Sequence, residues 1–250
     1  MKKRFETCLF LLCTALPIAG YANTQSELPE YTIQRSAEPI AVNGRMDESS
    51  WLAAKAVREF LFPWWEKGDK EPTEARLLWD DQNLYVCFVA HDRHISAVLT
   101  KRDDPVSNDD CVEVFVAPDP ENPKKYFNFE INALGTLLDR SPHVKRSADW
   151  NAEAIQIAIT CDGTLNDESD LDRLWTTEIA IPLAVFKGVA RNVPPADGDI
   201  WRLNLYRIGG QVNPQYSLWS NTQTEKPSYH VPERFGIVRF SVKPVKEPNE

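Results

Sequence analysis

At 250 residues, with 42% hydrophobic side chains, the chain holds enough apolar material for one sizeable core in a single domain. Its formal net charge of −9 has the wrong sign for a phosphate backbone or an anionic lipid surface. Nucleic acid and bilayer are therefore set aside as partners.

The first predicted element is an export signal over residues 1–22. Lys2, Lys3 and Arg4 form a basic start, residues 8–20 an apolar run, and Gly20-Tyr21-Ala22 a cleavage site, placing the mature N-terminus at Asn23. The run falls short of the ~20 apolar residues that a bilayer span needs. Cys13 lies inside it and follows Leu12, which does not suit a lipoprotein. Loss of the segment removes three basic residues and one acidic one, moving the net charge to −11. A soluble monomer in the periplasm or outside the cell is expected, with residues 23–37 as a lead-in.

From there on, short β patterns alternate with turn signals. A short helix is expected within 47–56, where capping residues precede Trp51. Residues 74–79 and 84–90 read as a hairpin closed on Asp80-Asp81-Gln82-Asn83. Strands follow at 112–117 and 126–132, separated by a Pro-Asp-Pro-Glu-Asn-Pro loop, and then at 154–160, 174–181, 201–208 and 235–242. Residues 182–186 suit a single helical turn, and the Lys/Pro/Glu tail at 243–250 has the composition of a disordered end. Eighteen prolines, many Asn/Asp turns and little helical signal fit a sandwich much better than a parallel α/β sheet, which needs a helix between strands. The fold class is all-β, an antiparallel β-sandwich over residues 38–242. After the signal three cysteines remain, Cys87, Cys111 and Cys161, without metal-ligand spacing. They read as small core residues, with a disulfide between two of them open.

Several stretches recur together in one known order. They are Val42-Asn43-Gly44-Arg45-Met46-Asp47 with Trp51; Leu77-Leu78-Trp79-Asp80-Asp81 with Leu84-Tyr85-Val86; and Asn108-Asp109-Asp110-Cys111-Val112-Glu113-Val114-Phe115. Then come Phe129-Glu130-Ile131-Asn132-Ala133-Leu134-Gly135-Thr136, Trp175-Thr176-Thr177-Glu178-Ile179-Ala180-Ile181-Pro182, Trp201-Arg202-Leu203-Asn204, and His230-Val231-Pro232-Glu233-Arg234-Phe235-Gly236. Over about residues 38 to 241 the chain resembles the family 9 carbohydrate-binding modules and their stand-alone bacterial relatives. The resemblance implies a DOMON-like sandwich of two sheets, sugar binding without catalysis, and a link to the breakdown of polysaccharides such as xylan or cellulose.

A sugar offers a C–H face to an aromatic ring and hydroxyls to paired donors and acceptors. Strand alternation puts Asn128, Glu130 and Asn132 on one face of 126–132, and Glu113 on the face of its strand opposite the valines. Glu113 and Asn132 match positions where xylanase-borne members hydrogen-bond the sugar, whereas Glu130 stands where those members carry arginine. Those members also clamp a terminal sugar between two aromatic rings. Tyr229 matches one of them and Ser107 falls at the other, so Trp64, Trp65 or Trp150 is expected to replace the second wall. Trp51, Trp79, Trp175 and Trp201 lie in apolar patterns and belong to the core. Arg102, Asp103, Asp104, Asp109 and Asp110 crowd the loops before the Glu113 strand, Arg102 and Asp110 as further sugar contacts and the clustered carboxylates as calcium ligands or a solvated rim.

Three rival functions have named residues. A glycosidase would pair two of Glu113, Glu130 and Glu178 across a cleft. A haem-binding electron-transfer sandwich would draw on Met46, His91 and His94. An envelope interaction protein would keep the sandwich and lose the sugar, as Ser107 in place of an aromatic suggests.

Overall fold

The computed structural model describes residues 27–144 and 149–246. The expected export signal, the start of the lead-in and the last four residues of the tail lie outside the described residues.

Among the described residues eleven strands form one sheet that curls over on itself, ten of them along a single path. The strands are β1 (Glu30–Arg35), β2 (Thr73–Trp79), β3 (Asn83–His91), β4 (Cys111–Ala117), β5 (Phe127–Asn132) and β6 (Leu137–Arg140), followed by β7 (Gln156–Asp162), β8 (Leu174–Pro182), β9 (Ile200–Gly209), β10 (Gln215–Leu218) and β11 (Gly236–Pro244). A one-turn helix, α1 (Ser49–Ala53), precedes β2, and a 3-10 turn (Leu183–Phe186) follows β8. The order is β6-β5-β4-β9-β11-β1-β2-β3-β8-β7, with β10 paired to β9. β1 runs parallel to β11 along most of its length, but only Gln34 and Arg35 reach β2. That two-residue bridge is the corner where the sheet folds into two layers. The expected sandwich is present and mainly antiparallel, with parallel pairing at this corner.

The core follows from alternation. Val112, Val114 and Val116 of β4, Phe127, Phe129 and Ile131 of β5, and Leu203 and Leu205 of β9 face inward. They meet Leu77 and Trp79 of β2, Val86 and Phe88 of β3, and Trp175, Ile179 and Ile181 of β8. Trp51 packs instead on the outer face of the second layer with Leu78, Tyr85 and Cys87. Cys87 and Cys111 are buried thiols, Cys161 is exposed, and all three are free.

Two domain edges move. Residues 30–35 of the expected lead-in belong to the sandwich, because they form β1 and bury Tyr31 and Ile33 in the core. At the far end β11 continues through Pro244, and Val245 is buried, so order extends past the expected boundary at 242.

The opening motif and the Glu178 motif are two halves of one contact. The buried Glu178 carboxylate accepts the backbone N–H groups of Asn43 (2.8 Å), Gly44 (2.7 Å) and Met46 (3.0 Å). Gly44 sits at φ +80°, and a Cβ there would lie 2.9 Å from the Ile159 carbonyl carbon, so the turn requires glycine.

Candidate functional site

The outer face of the β4–β5–β9 layer does not face water. Segments 99–108 and 219–235 lie over it, and Cys111, Phe115, Tyr206 and Ile208 form a second apolar cluster with Val106, Tyr126, Tyr229 and Phe235. Polar residues on that face are therefore enclosed, and each one needs a partner or a ligand.

Glu113 and Glu130 lie directly opposite each other on β4 and β5, with Tyr206 of β9 on the other side of Glu113. Both border a pocket of about 270 Å³, together with Ser107, Ile208, Tyr216, Pro227, Ser228, Tyr229 and His230. Glu113 is only 2% exposed, and among the described residues nothing donates a hydrogen bond to its carboxyl. Asn128 donates to Glu130 at 2.9 Å. Burial, and the charge of Glu130 beside it, push the Glu113 carboxyl well above the usual carboxylate range. Burial also raises Glu130 to about 7, against the opposing pull of Asn128 and Arg140. Two adjacent carboxyls in so dry a place hold on to protons.

Aromatic rings form the rest of the wall. Tyr229 stacks on Tyr206 with centroids 4.0 Å apart, and its hydroxyl lies 3.0 Å from the Arg207 carbonyl. It is thus a pocket wall that is itself built into the core. Trp64 sits 6.1 Å from Tyr229 and 6.5 Å from Tyr216, with its indole N–H on the Thr224 carbonyl at 2.8 Å. Trp64 and Trp65 line an adjoining groove of about 560 Å³ that shares Tyr216 and Pro227 with the pocket. Trp65 is 42% exposed, and the Lys70 ammonium lies 4.6 Å from its ring centroid. The ring facing the pocket beside Tyr229 is Tyr216, on the unforeseen strand β10. His230, also unforeseen, shares a hydrogen bond of 2.8 Å with the Tyr126 hydroxyl through Nδ1. Contact with Phe115 and Tyr126 desolvates its ring and holds its pKa below the ordinary value. Burial pushes Tyr126 up to about 12, so the phenol donates and the neutral imidazole accepts.

Four expected contacts lie elsewhere. Asn132 is fully buried; its amide donates to the Leu99 carbonyl and to Asp109, and accepts from Leu134 and Thr136. It ties two loops together. Trp150 packs against Phe127 and Phe129 on the inner side of β5. Arg102 pairs with Asp139 at 2.8 Å and donates to Asn151. Asp110 accepts from Ser96, Gly210 and the buried Arg207.

The expected calcium ligands are committed in the same way. Asp103 pairs with Arg140, Asp104 accepts the Lys101 N–H, and Asp109 accepts the Val98 and Leu99 N–H groups. Among the described residues no three His, Cys, Asp or Glu side chains converge on a metal position. Met46 meets the Arg76 guanidinium at 3.1 Å beside the Trp51 cluster. Glu178 lies on the outer face of the opposite layer, where it cannot face Glu113 or Glu130 across a cleft.

A β-sandwich with an enclosed polar floor under aromatic walls is the architecture of a ligand-binding module. Residues 46–240 match the model of carbohydrate-binding family 9. The chain belongs to that family and is a carbohydrate-binding protein by membership. A candidate carbohydrate-binding protein from Bacteroides uniformis shares the fold with TM-score 0.71 at 20% identity, covering 86% of this chain and all of that one. A family 9 module from Caldicellulosiruptor kristjanssonii in complex with cellotriose has TM-score 0.59 at 13% identity, covering 85% of this chain and 95% of that one. A glucose complex of a family 9 module from the same organism has TM-score 0.58 at 13% identity, covering 85% and 97%. A search of curated proteins returns no match.

Proposed function

We propose that the pocket over Glu113 and Glu130 binds sugar without transforming it, and that the protein works as an exported monomer in polysaccharide breakdown. The observation that carries this reading is the opposed carboxyl pair, supplying hydrogen-bonding oxygens beneath the rings of Tyr216 and Tyr229. The volume lies just below the ~300–1,000 Å³ of drug-sized sites, which suits one or two sugar units. Tyr216 stands in for the aromatic that Ser107 lacks, which favours retained sugar binding over its loss. The cellotriose and glucose complexes of the Caldicellulosiruptor modules support gluco-oligosaccharides as first ligands to try.

Hydrolysis is disfavoured by the same geometry. Glycosidases place their two carboxyls on either side of the scissile bond, about 5–10 Å apart. Glu113 and Glu130 are instead neighbours on adjacent strands and together form the pocket floor.

Calorimetry with glucose, cello-oligosaccharides and xylo-oligosaccharides, with pull-down on insoluble cellulose and xylan, tests the reading. Saturable binding that is lost in Tyr216→Ala supports it. Absence of binding to every sugar, or binding unaffected in Tyr216→Ala, overturns it. Export is checked by sequencing the N-terminus of the secreted protein, which should begin at Asn23, and monomer state by analytical ultracentrifugation.

A further inference from the structure

Resting on the sugar-binding reading, we infer that the pocket selects an amino sugar, a hexose carrying a free ammonium group that seats against Glu113 and Glu130. The floor of the pocket is two carboxyls facing each other across paired strands. Glu113 is buried, borders the pocket and accepts no hydrogen bond among the described residues. It is an acceptor with its donor still to come.

Nothing in the lining supplies a positive charge that could pair with the carboxyls once they ionise. No lysine or arginine borders the pocket. The cation nearest in effect, Arg140 of β6, is tied to Asp103 at 2.5 Å and to the Asp139 carbonyl at 2.9 Å. His230 stays neutral on the Tyr126 hydroxyl. The remaining titratable groups around the pair are Tyr206 on β9, Cys111 on β4, and Tyr126 and Tyr229 in the segments above. Burial holds each of them protonated.

The chemistry of the ligand follows. An ammonium has three donors and no acceptor, so it can satisfy both carboxyls at once. A hydroxyl has a single proton to give. When the ammonium enters, the carboxyls it meets give up the protons they held, so binding is coupled to proton release. A neutral sugar does not force that release, and N-acetylation removes the charge.

Glucosamine, N-acetylglucosamine, glucose and ethanolamine, titrated calorimetrically at mildly acid pH, separate the possibilities. The charge-assisted contacts should make glucosamine tighter than glucose by about tenfold or more. N-acetylglucosamine should bind no tighter than glucose, and ethanolamine should bind more weakly than glucosamine. Measured in two buffers of different ionisation enthalpy, glucosamine binding should release protons and glucose binding should not. Glu113→Gln and Glu130→Gln should bring the glucosamine-to-glucose preference close to one while both variants still unfold cooperatively. Should glucose bind and glucosamine bind no tighter, the amino-sugar inference fails and the sugar-binding reading stands. Ethanolamine matching glucosamine would also overturn the inference, because the amine alone is then being read. Absence of binding by all three sugars defeats both.

Discussion

Ionising Glu130 should weaken the fold, and Glu130→Gln should remove that weakness. Burial raises this carboxyl from its ordinary 4.5 to about 7. Between those values the folded chain keeps a proton that the unfolded chain has already released. The stabilising contribution is therefore complete below about pH 4.5 and is lost as pH rises through about 7. The difference corresponds to about 3 kcal/mol, and Glu113, shifted in the same direction, adds to the trend. Glutamine keeps the shape and can still accept the Asn128 N–H bond, but it carries no charge to desolvate. Urea unfolding from about pH 5 to about pH 8.5 is the assay, because its midpoint and slope separate stability from compactness. The variant should gain on the parent as pH rises, by about 3 kcal/mol at the alkaline end, or about 6 to 12 °C in melting temperature. If the difference between the two proteins is constant over that range, or shrinks as pH rises, Glu130 is not a buried, desolvated acid. The account of the pocket floor then fails.

Three other substitutions separate the pocket from its scaffold. Tyr216 is 36% exposed, so Tyr216→Ala should weaken sugar binding by about tenfold with little change in melting temperature, lost stacking being worth about 0.5–1.5 kcal/mol beyond its contact area. Tyr229→Ala instead opens a cavity beside Tyr206 and should destabilise the fold by about 3 kcal/mol or more, so denaturation must be measured before its binding is interpreted. Glu178→Ala removes the acceptor for three backbone N–H groups and should cost about 3 kcal/mol or more in denaturant unfolding, with sugar affinity unchanged in the fraction that folds.

Alternation alone located most strands and the outward set Glu113, Glu130 and Asn132, because a period of two is written into Val112-Glu113-Val114 and Phe129-Glu130-Ile131. The strands that escaped are those without a local partner or without length. β1 pairs in parallel with a strand at the opposite end of the chain, so no turn beside it announces a hairpin. β6 and β10 have four residues each, too few to display a period, and with β10 went Tyr216. The direct opposition of Glu113 and Glu130 depends on hairpin register across a long proline-rich loop, which residue types do not encode. The misplaced contacts share another cause. Asn132 does point to the outer face, as alternation requires, whereas Asp110 precedes β4 and lies toward Arg207, the partner of the inward Val112; segments distant in sequence close over both. Asn132 is claimed by Leu99 and Asp109, and Asp110 by Ser96 and Gly210. Glu113 differs from these neighbours only because no backbone segment reaches its carboxyl. The difference between a structural polar residue and a binding one lies there in the packing of remote loops.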